Sequence, residues 1–391
     1  MERRNDVASH SAVDELVHRC LAAAGEFVED VISLTMEIAS IPAPTFLEAD
    51  RARFLARAIV GLGLPDITVD DLSNVTARVP GRDRTKSIIL AGHIDTVFPI
   101  ETPIVIERNG DRLLGPGIGD NSLGAAAAVM VPSMLDRLGI IPGVDIVVTG
   151  NVGEEGLGDL NGIRAVVDAN PDVAAVVAIE GHNLGRVTHI AVGSKRFRVV
   201  VTGPGGHSWG DFGRPNAIHA AAELIHNLTR ISTPSVPKTT LTVGMIEGGI
   251  SVNTIAPEVT FLIDTRSVDD SWLNKTVNRI ERVLRDGVHG VKVAWEIIGD
   301  RPAGSVPADS AIIHHAFDVI REIGLNPIAD ASSTDANVPI SRGIPSVCIG
   351  LTTGGHAHRV DEYIDVGPIA RGLAQLTALT ILIGEDLSAG I

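Results

Sequence analysis

The chain has 391 residues, 45% of them hydrophobic, more than one ordinary core accommodates, so two domains are expected. A formal net charge of −16 without clustered Lys and Arg excludes a nucleic-acid partner, because phosphate binding depends on such clusters, and the same field favours cations. Two cysteines without a CxxC pair, and the polar start Met1-Glu-Arg-Arg-Asn-Asp, argue against a disulfide framework, a thiolate zinc site, a membrane span and a signal peptide, and set the cytoplasm as the expected compartment.

Residues 12 to 40 carry Leu16, Cys20, Phe27, Val31, Leu34 and Ile38 at helical spacing, and Ile41-Pro-Ala-Pro ends that helix. A second helix is predicted over Glu48 to Leu62. Strands and helices then alternate: Ser87 to Ala91, a glycine turn, Ala125 to Leu138, Val144 to Val148, a helix near Leu160 to Ala169, and Val173 to Ile179. Near-continuous apolar strands alternating with helices predict an α/β domain with a largely parallel sheet covered on both faces, whose ligands gather beyond the carboxyl ends of the strands.

Near Gly185 the pattern changes. A strand at Lys195 to Gly203, a helix at Asn216 to Leu228, strands at Thr239 to Ile246 and Thr260 to Arg266, a helix at Ser271 to Asp286 and a strand at Val291 to Ile297 give the β-α-β-β-α-β order of a ferredoxin-like split unit. After Arg301-Pro-Ala the first pattern resumes with a helix over Ser310 to Ile323, a strand at Ser346 to Ile349 and a helix over Ile369 to Ile383. The expected organisation is one domain from residues 1–188 and 304–391, interrupted by an inserted α+β domain at 189–303.

Gly153-Glu154-Glu155-Gly156 directly follows the run Val144 to Val148. Adjacent side chains on an extended segment point to opposite sides, so one carboxylate could bind a cation while its neighbour reaches toward a water on that cation. A solvated acidic turn is the plain alternative, since Asp and Glu are mostly exposed. The company of His93, Asp95, Asp120, Glu180 and His358, all just beyond apolar runs or in glycine-rich turns, favours a hydrolytic metal site.

His93 can offer a neutral imidazole nitrogen, and Asp95 could hold its other N–H. Gly115-Pro-Gly-Ile-Gly-Asp120 opens a helix without meeting a phosphate-loop pattern; a carboxylate there would repel phosphate but could bridge two cations. Of His356 and His358 one is expected to bind metal, and spacing does not decide which. Gly206-His207-Ser208-Trp-Gly matches a nucleophile elbow, yet Asp211-Phe-Gly-Arg-Pro215 delays the helix that should start at once. A serine hydrolase using Ser208 and a non-catalytic binding protein on the same fold are the rival readings.

Taken in order, Ile41-Pro-Ala-Pro-Thr-Phe, Gly92-His-Ile-Asp, Gly119-Asp-Asn, Gly153-Glu-Glu-Gly, Gly206-His-Ser, Ser251-Val-Asn-Thr-Ile-Ala-Pro, Asp264-Thr-Arg, Ser333-Thr-Asp-Ala-Asn and His358 through Glu362 resemble the M20 family of metallopeptidases and amidohydrolases over nearly the whole chain. The resemblance implies a zinc-exopeptidase-like catalytic domain with an inserted lid and dimerisation domain, acting as a homodimer. It implies two divalent ions, zinc first with manganese or cobalt as alternatives: Asp120 bridges them, His93 and Glu180 hold one, Glu155 and His358 the other. His358 is preferred over His356 because the family has a Glu four residues after its ligand, matched by Glu362. Glu154 would be the general base and the bond after Asp120 cis; Asp95, as the holder of His93, is counted with Glu154 among the catalytic residues.

His207, Asn253 and Arg266 match substrate-contacting positions, Arg266 as a clamp on a carboxylate. The implied reaction is hydrolysis of an amide or peptide C–N bond in a small carboxylate-bearing molecule, with an unusual C–N bond such as an aromatic amine as the alternative. Glu180 resembles the carboxypeptidase and aminoacylase branches, whereas Ser333-Thr-Asp-Ala-Asn resembles the tripeptidase-like branch.

Overall fold

The computed structural model describes residues 2–390, with side chains from residue 12 onward. These divide into two units, one of residues up to 189 together with those from 305 on, the other of residues 190–304.

The apolar runs form the centre of the first unit. Strands Asp83–His93, Val144–Asn151 and Val173–Glu180 lie parallel to one another, and Ser346–Gly350 adds a fourth parallel strand. Alternate strand residues face opposite ways, and here both sets are buried, which is why the runs are apolar throughout. Ile89, Ala91, Val147 and Val176 pack with Ile163, Val166 and Val167 of helix Asn161–Ala169. Ile88, Leu90 and Val148 belong to the opposite set, the side on which helices Leu123–Leu138 and Ile369–Ala389 meet the sheet. The long helix Glu2–Ala39 packs on both of these helices. Antiparallel strands flank the parallel core: Val75–Val79 beside Val144–Asn151, and Arg186–Ala191 beside Ser346–Gly350.

Because the central strands are parallel, His93, Asn151, Glu180 and Gly350 all end at one edge of the sheet. A small antiparallel sheet built from Glu107–Asn109, Arg112–Leu114, Tyr363–Asp365 and Gly354–Gly355 carries two further loops. One runs from Gly115 to Asp120, the other from His356 to Glu362, and the Gly115 N–H donates to the Glu362 carbonyl at 2.9 Å.

In the second unit the four strands order as Thr239–Gly248, Glu258–Ser267, Gly193–Thr202 and Lys292–Arg301, each antiparallel to its neighbours. Helices Ala217–Thr229 and Asp270–Asp286 pack on this sheet through Leu224 and Ile280, which meet Phe197, Val199 and Phe261. That is the ferredoxin-like topology expected from the element order. Among the described residues no helix is long and apolar enough to cross a membrane.

Candidate metal centre

The strand edge and the two loops bring six side chains into one cluster. Asp120 stands at its middle. Its Oδ1 lies 3.1 Å from His93 Nε2, and its Oδ2 lies 3.0 Å from His358 Nε2, so the two oxygens of one carboxylate face two different imidazoles. Glu180 Oε2 is 3.8 Å from His93 Nε2, and Glu155 Oε1 is 3.2 Å from His358 Nε2. Two ligand triads follow, His93–Asp120–Glu180 and Asp120–Glu155–His358, sharing Asp120; a third grouping joins His93, Glu154 and Glu155.

Atoms bound about 2.0–2.1 Å from a tetrahedral ion stand roughly 3.3 Å from each other, close to the separations found here. His93 is fully buried, and its Nε2 has no hydrogen bond of acceptable geometry despite the nearby carboxylates. A buried nitrogen without a hydrogen bond, aimed at converging carboxylates, fits a metal ligand.

The electrostatics point the same way. Burial opposes the ionisation of Asp120, but His358 and His93 outweigh it and hold that carboxyl far below its usual range. Burial, with Asp120 and Asp335 adding to it, pushes Glu180 well above the carboxylate range, against the pull of His93. Hydrogen bonds first to Asp120 and then to Glu155 raise His358 to about 10. At His93 burial resists protonation, yet the Asp120 and Asp95 carboxylates prevail and lift its pKa well above normal. In this cluster the carboxylates draw both imidazoles toward protonation, a demand that a divalent cation would meet more fully.

Local structure accounts for each placement. Glu154 and Glu155 sit in a turn entered through Gly153 at φ 66°, where an added Cβ would lie 1.9 Å from Asn161 Oδ1. Asp95 Oδ1 accepts the Glu154 N–H at 3.0 Å, its Oδ2 accepts the Glu155 N–H at 2.9 Å, and Thr45 Oγ1 donates to Oδ2 at 2.9 Å. With its carboxylate so engaged, Asp95 meets His93 Nδ1 more closely through its carbonyl, at 3.2 Å, than through Oδ1, at 3.4 Å. The carboxylate that sequence reasoning set against that nitrogen lies 3.4 Å from it while also accepting the two turn amides.

The loop that carries Asp120 is held from below. Glu362, fully buried, accepts the N–H groups of Gly117, Gly119 and Asp120 at 2.8, 2.9 and 2.8 Å, and its Oε1 lies 2.8 Å from His182 Nε2. The Asp120–Asn121 bond is cis. Asn121 Nδ2 donates to the Ile179 carbonyl at 2.6 Å, and Gly181 passes so close to the loop that a Cβ there would lie 2.2 Å from the Gly119 oxygen.

His356 is half-exposed, pairs with Asp361 at 3.0 Å and packs edge-on against Tyr363, outside the cluster. His182, Thr45 and the buried pair Asn151 Nδ2 to Asp335 Oδ2, at 2.8 Å, are features of the site's surroundings that sequence reasoning did not single out as site residues. The signals were present, His182 two residues past Glu180 and Asp335 inside Ser333-Thr-Asp-Ala-Asn.

The remaining site candidates lie in the second unit. His207 is exposed and its Nδ1 accepts the Trp209 and Gly210 N–H groups at 3.1 and 3.3 Å, while the Ser208 N–H donates to the Asn253 carbonyl at 3.0 Å. The next helix begins only at Ala217, so Ser208 does not open a helix as an elbow serine must. Arg266, 44% exposed, donates from Nε to Asp264 Oδ2 at 2.8 Å.

Residues 89–381 match the family model described as Peptidase family M20/M25/M40. Over 355 residues the chain is 25% identical to a succinyl-diaminopimelate desuccinylase of Corynebacterium glutamicum, across 88% of this chain and 94% of that one. A solved tripeptidase of Staphylococcus aureus superposes with a TM-score of 0.75 at 21% identity, covering 92% of this chain and 99% of that chain. A dinuclear metal-binding peptidase of the M20 family from Bacillus subtilis gives a TM-score of 0.68 at 15% identity, covering 92% and 99%. At these identities the two structures speak for the fold.

Proposed function

The chain belongs to peptidase family M20/M25/M40, hydrolases of peptidase and deacylase type, and from that premise we propose that it is a two-metal hydrolase of an amide or peptide C–N bond in a small, carboxylate-bearing substrate. The observation that carries the reading is Asp120, whose two oxygens face His93 and His358 at 3.1 and 3.0 Å. His93, Asp120 and Glu180 would hold one ion and Asp120, Glu155 and His358 the other; the dinuclear neighbour supports that count. The donors are imidazole and carboxylate without thiolate, suited to zinc first and to manganese or cobalt as well.

Such ions, when bound, would lower the pKa of water at the site and polarise the scissile carbonyl. The chain's own residues do the rest. Glu154, buried and fixed through its backbone by Asp95, is assigned as the base that takes the proton of the attacking water and delivers it to the departing nitrogen. Asp95 acts as its companion by setting the turn and facing His93 Nδ1. Arg266, its guanidinium oriented by Asp264, is assigned to a substrate carboxylate, and His207 and Asn253 to the remainder of the substrate. The second unit is assigned as lid and homodimer interface. A desuccinylase relative and a tripeptidase neighbour support an N-acyl amino acid or short peptide as substrate. Two buried free cysteines, Cys20 and Cys348, support a reducing, cytoplasmic setting.

The test is a screen of N-acetyl and N-succinyl amino acids, dipeptides and trialanine with Zn, Mn and Co. Turnover should vanish on chelation and return with metal; turnover that survives verified metal removal would end the two-metal reading.

A further inference from the structure

Beneath the Glu154–Glu155 turn lies a buried charge cluster in which Asp95 is joined by Glu48 and Arg51, two residues without an assigned role. Three successive amides of the turn end on carboxylate oxygens from two distant segments. The Gly153 N–H donates to Glu48 Oε1 at 3.2 Å, and the next two amides donate to Asp95 as described. Glu48 Oε1 also accepts the Phe46 N–H at 3.0 Å, so this side chain ties its own loop to the turn.

Both acids are out of water, Glu48 at 4% exposure and Asp95 at 0%. Two carboxylates buried so close to the metal ligands need a compensating charge. Burial raises the Glu48 pKa, while against burial His93 and the Glu155 N–H hold Asp95 low, and Arg51, 1% exposed, adds a buried cation to the cluster. Its guanidinium donates from Nε and Nη2 to the Ile41 carbonyl and from Nη1 to the Ile94 carbonyl. Burial pulls the guanidinium down to about 10, opposed by Asp95 and then Glu48.

Ile94 lies between His93 and Asp95, so Arg51 grips the segment that carries both. It also sits in the first turn of helix Ala49–Gly61, where a cation is disfavoured by the helix dipole. A cation held against both burial and the dipole is placed for its neighbours.

We infer that Glu48 and Arg51 are positioning residues for the reaction, fixing the backbone from which Glu154 projects without touching ions or substrate. Glu48 takes the first amide of the turn. Arg51, whose charge Asp95 and Glu48 favour against burial, anchors through the Ile94 carbonyl the loop of Asp95, which takes the other two amides. An ordinary structural staple would lower stability and leave turnover alone, which separates the two roles.

Glu48→Ala removes the acceptor, whereas Glu48→Gln keeps an oxygen for it. Three quantities are measured: hydrogen exchange at residues 153–155, zinc bound per chain, and kcat and KM on whichever of the N-acyl amino acids or trialanine the wild type cleaves fastest. Glu48→Ala should speed exchange at those amides and lower kcat by about 10–100-fold, since a misplacement on the order of 1 Å costs that much. Its KM and zinc content should stay at wild-type values, and Glu48→Gln should recover most of the lost turnover. Wild-type kcat in Glu48→Ala, zinc lost in step with kcat, or no recovery in Glu48→Gln would each overturn the inference.

Arg51→Met strands two buried carboxylates and risks unfolding. Combined with Glu48→Gln, which removes one of those charges, it should be more stable than alone; a double variant no more stable than the single would overturn the charge-balancing role. Because the inference rests on Glu154 being the base, Glu154→Gln is run alongside. Its collapse with intact Glu48→Ala turnover would sink this inference alone, while wild-type turnover in Glu154→Gln would sink the base assignment itself.

Discussion

Replacing Glu362 by Gln changes one atom, and the structure says which contact it breaks. Oε1 serves the amides of Gly119 and Asp120 and faces His182 Nε2, while Oε2 serves Gly117 alone. The least damaging placement of the new amide keeps oxygen on the crowded side and turns its NH2 toward the Gly117 N–H, donor against donor. One buried donor left without an acceptor costs about 1–3 kcal/mol. The contacts that remain lose the gain from a charged acceptor, which is about twice as strong as a neutral one, for a further loss on the order of 2 kcal/mol. The sum, about 3–5 kcal/mol, corresponds to a fall on the order of 10 °C in melting temperature for a unit of this size.

Calorimetry on chelator-treated protein is the proper assay, because bound metal would mask the loss. Zinc titration then reads the loosened Asp120 loop, with affinity expected to drop about 10–100-fold as for other residues that orient metal ligands. Glu362→Ala removes every acceptor at once and should leave little folded protein. A Glu362→Gln protein that melts with the wild type and binds zinc equally well would refute the anchoring role.

Glu155→Gln should chiefly weaken metal binding and Glu154→Gln chiefly lower turnover by roughly 10²–10⁴-fold, the range for a lost general base; equal metal loss in both would undo that division. Because His358 is held near pKa 10 and His93 is also raised, a cation must displace protons at neutral pH. Zinc affinity should therefore climb as pH rises, about tenfold per unit for each proton released. Calorimetric titrations in buffers of different ionisation enthalpy would show that release, and an affinity flat between about pH 6 and 8 would contradict it. Ser208→Ala should keep wild-type kcat within about twofold, given the geometry of its turn; a loss of turnover with metal still bound would revive serine catalysis.

The buried parallel strands were legible because both of their faces are covered, so Ile88 to Ala91, Val144 to Val148 and Val173 to Ile179 read as unbroken apolar runs. The strand Val75–Val79, bearing Thr76 and Arg78, and the two- and three-residue strands at 107–109, 112–114, 354–355 and 363–365 are too short or too polar to show a period. The ligand candidates were legible because strand ends in such a sheet share an edge. Their supports were not: Glu48 meets Gly153, and Glu362 meets Asp120, across separations that no local spacing encodes. The engagement of Asp95 by the turn amides could not be read from His-x-Asp alone.

The anchoring of Asp120 by a residue 242 positions later has a consequence for synthesis. A ribosome adding about 5–20 residues per second needs roughly 10–50 s to make the intervening chain. During that interval His93, Asp120, Glu155 and Glu180 exist without His358 or Glu362, while the whole of the 190–304 unit is made in between. A nascent chain stalled before His358 therefore carries the acids of the cluster without the imidazole that faces Asp120 and the carboxylate that anchors its loop.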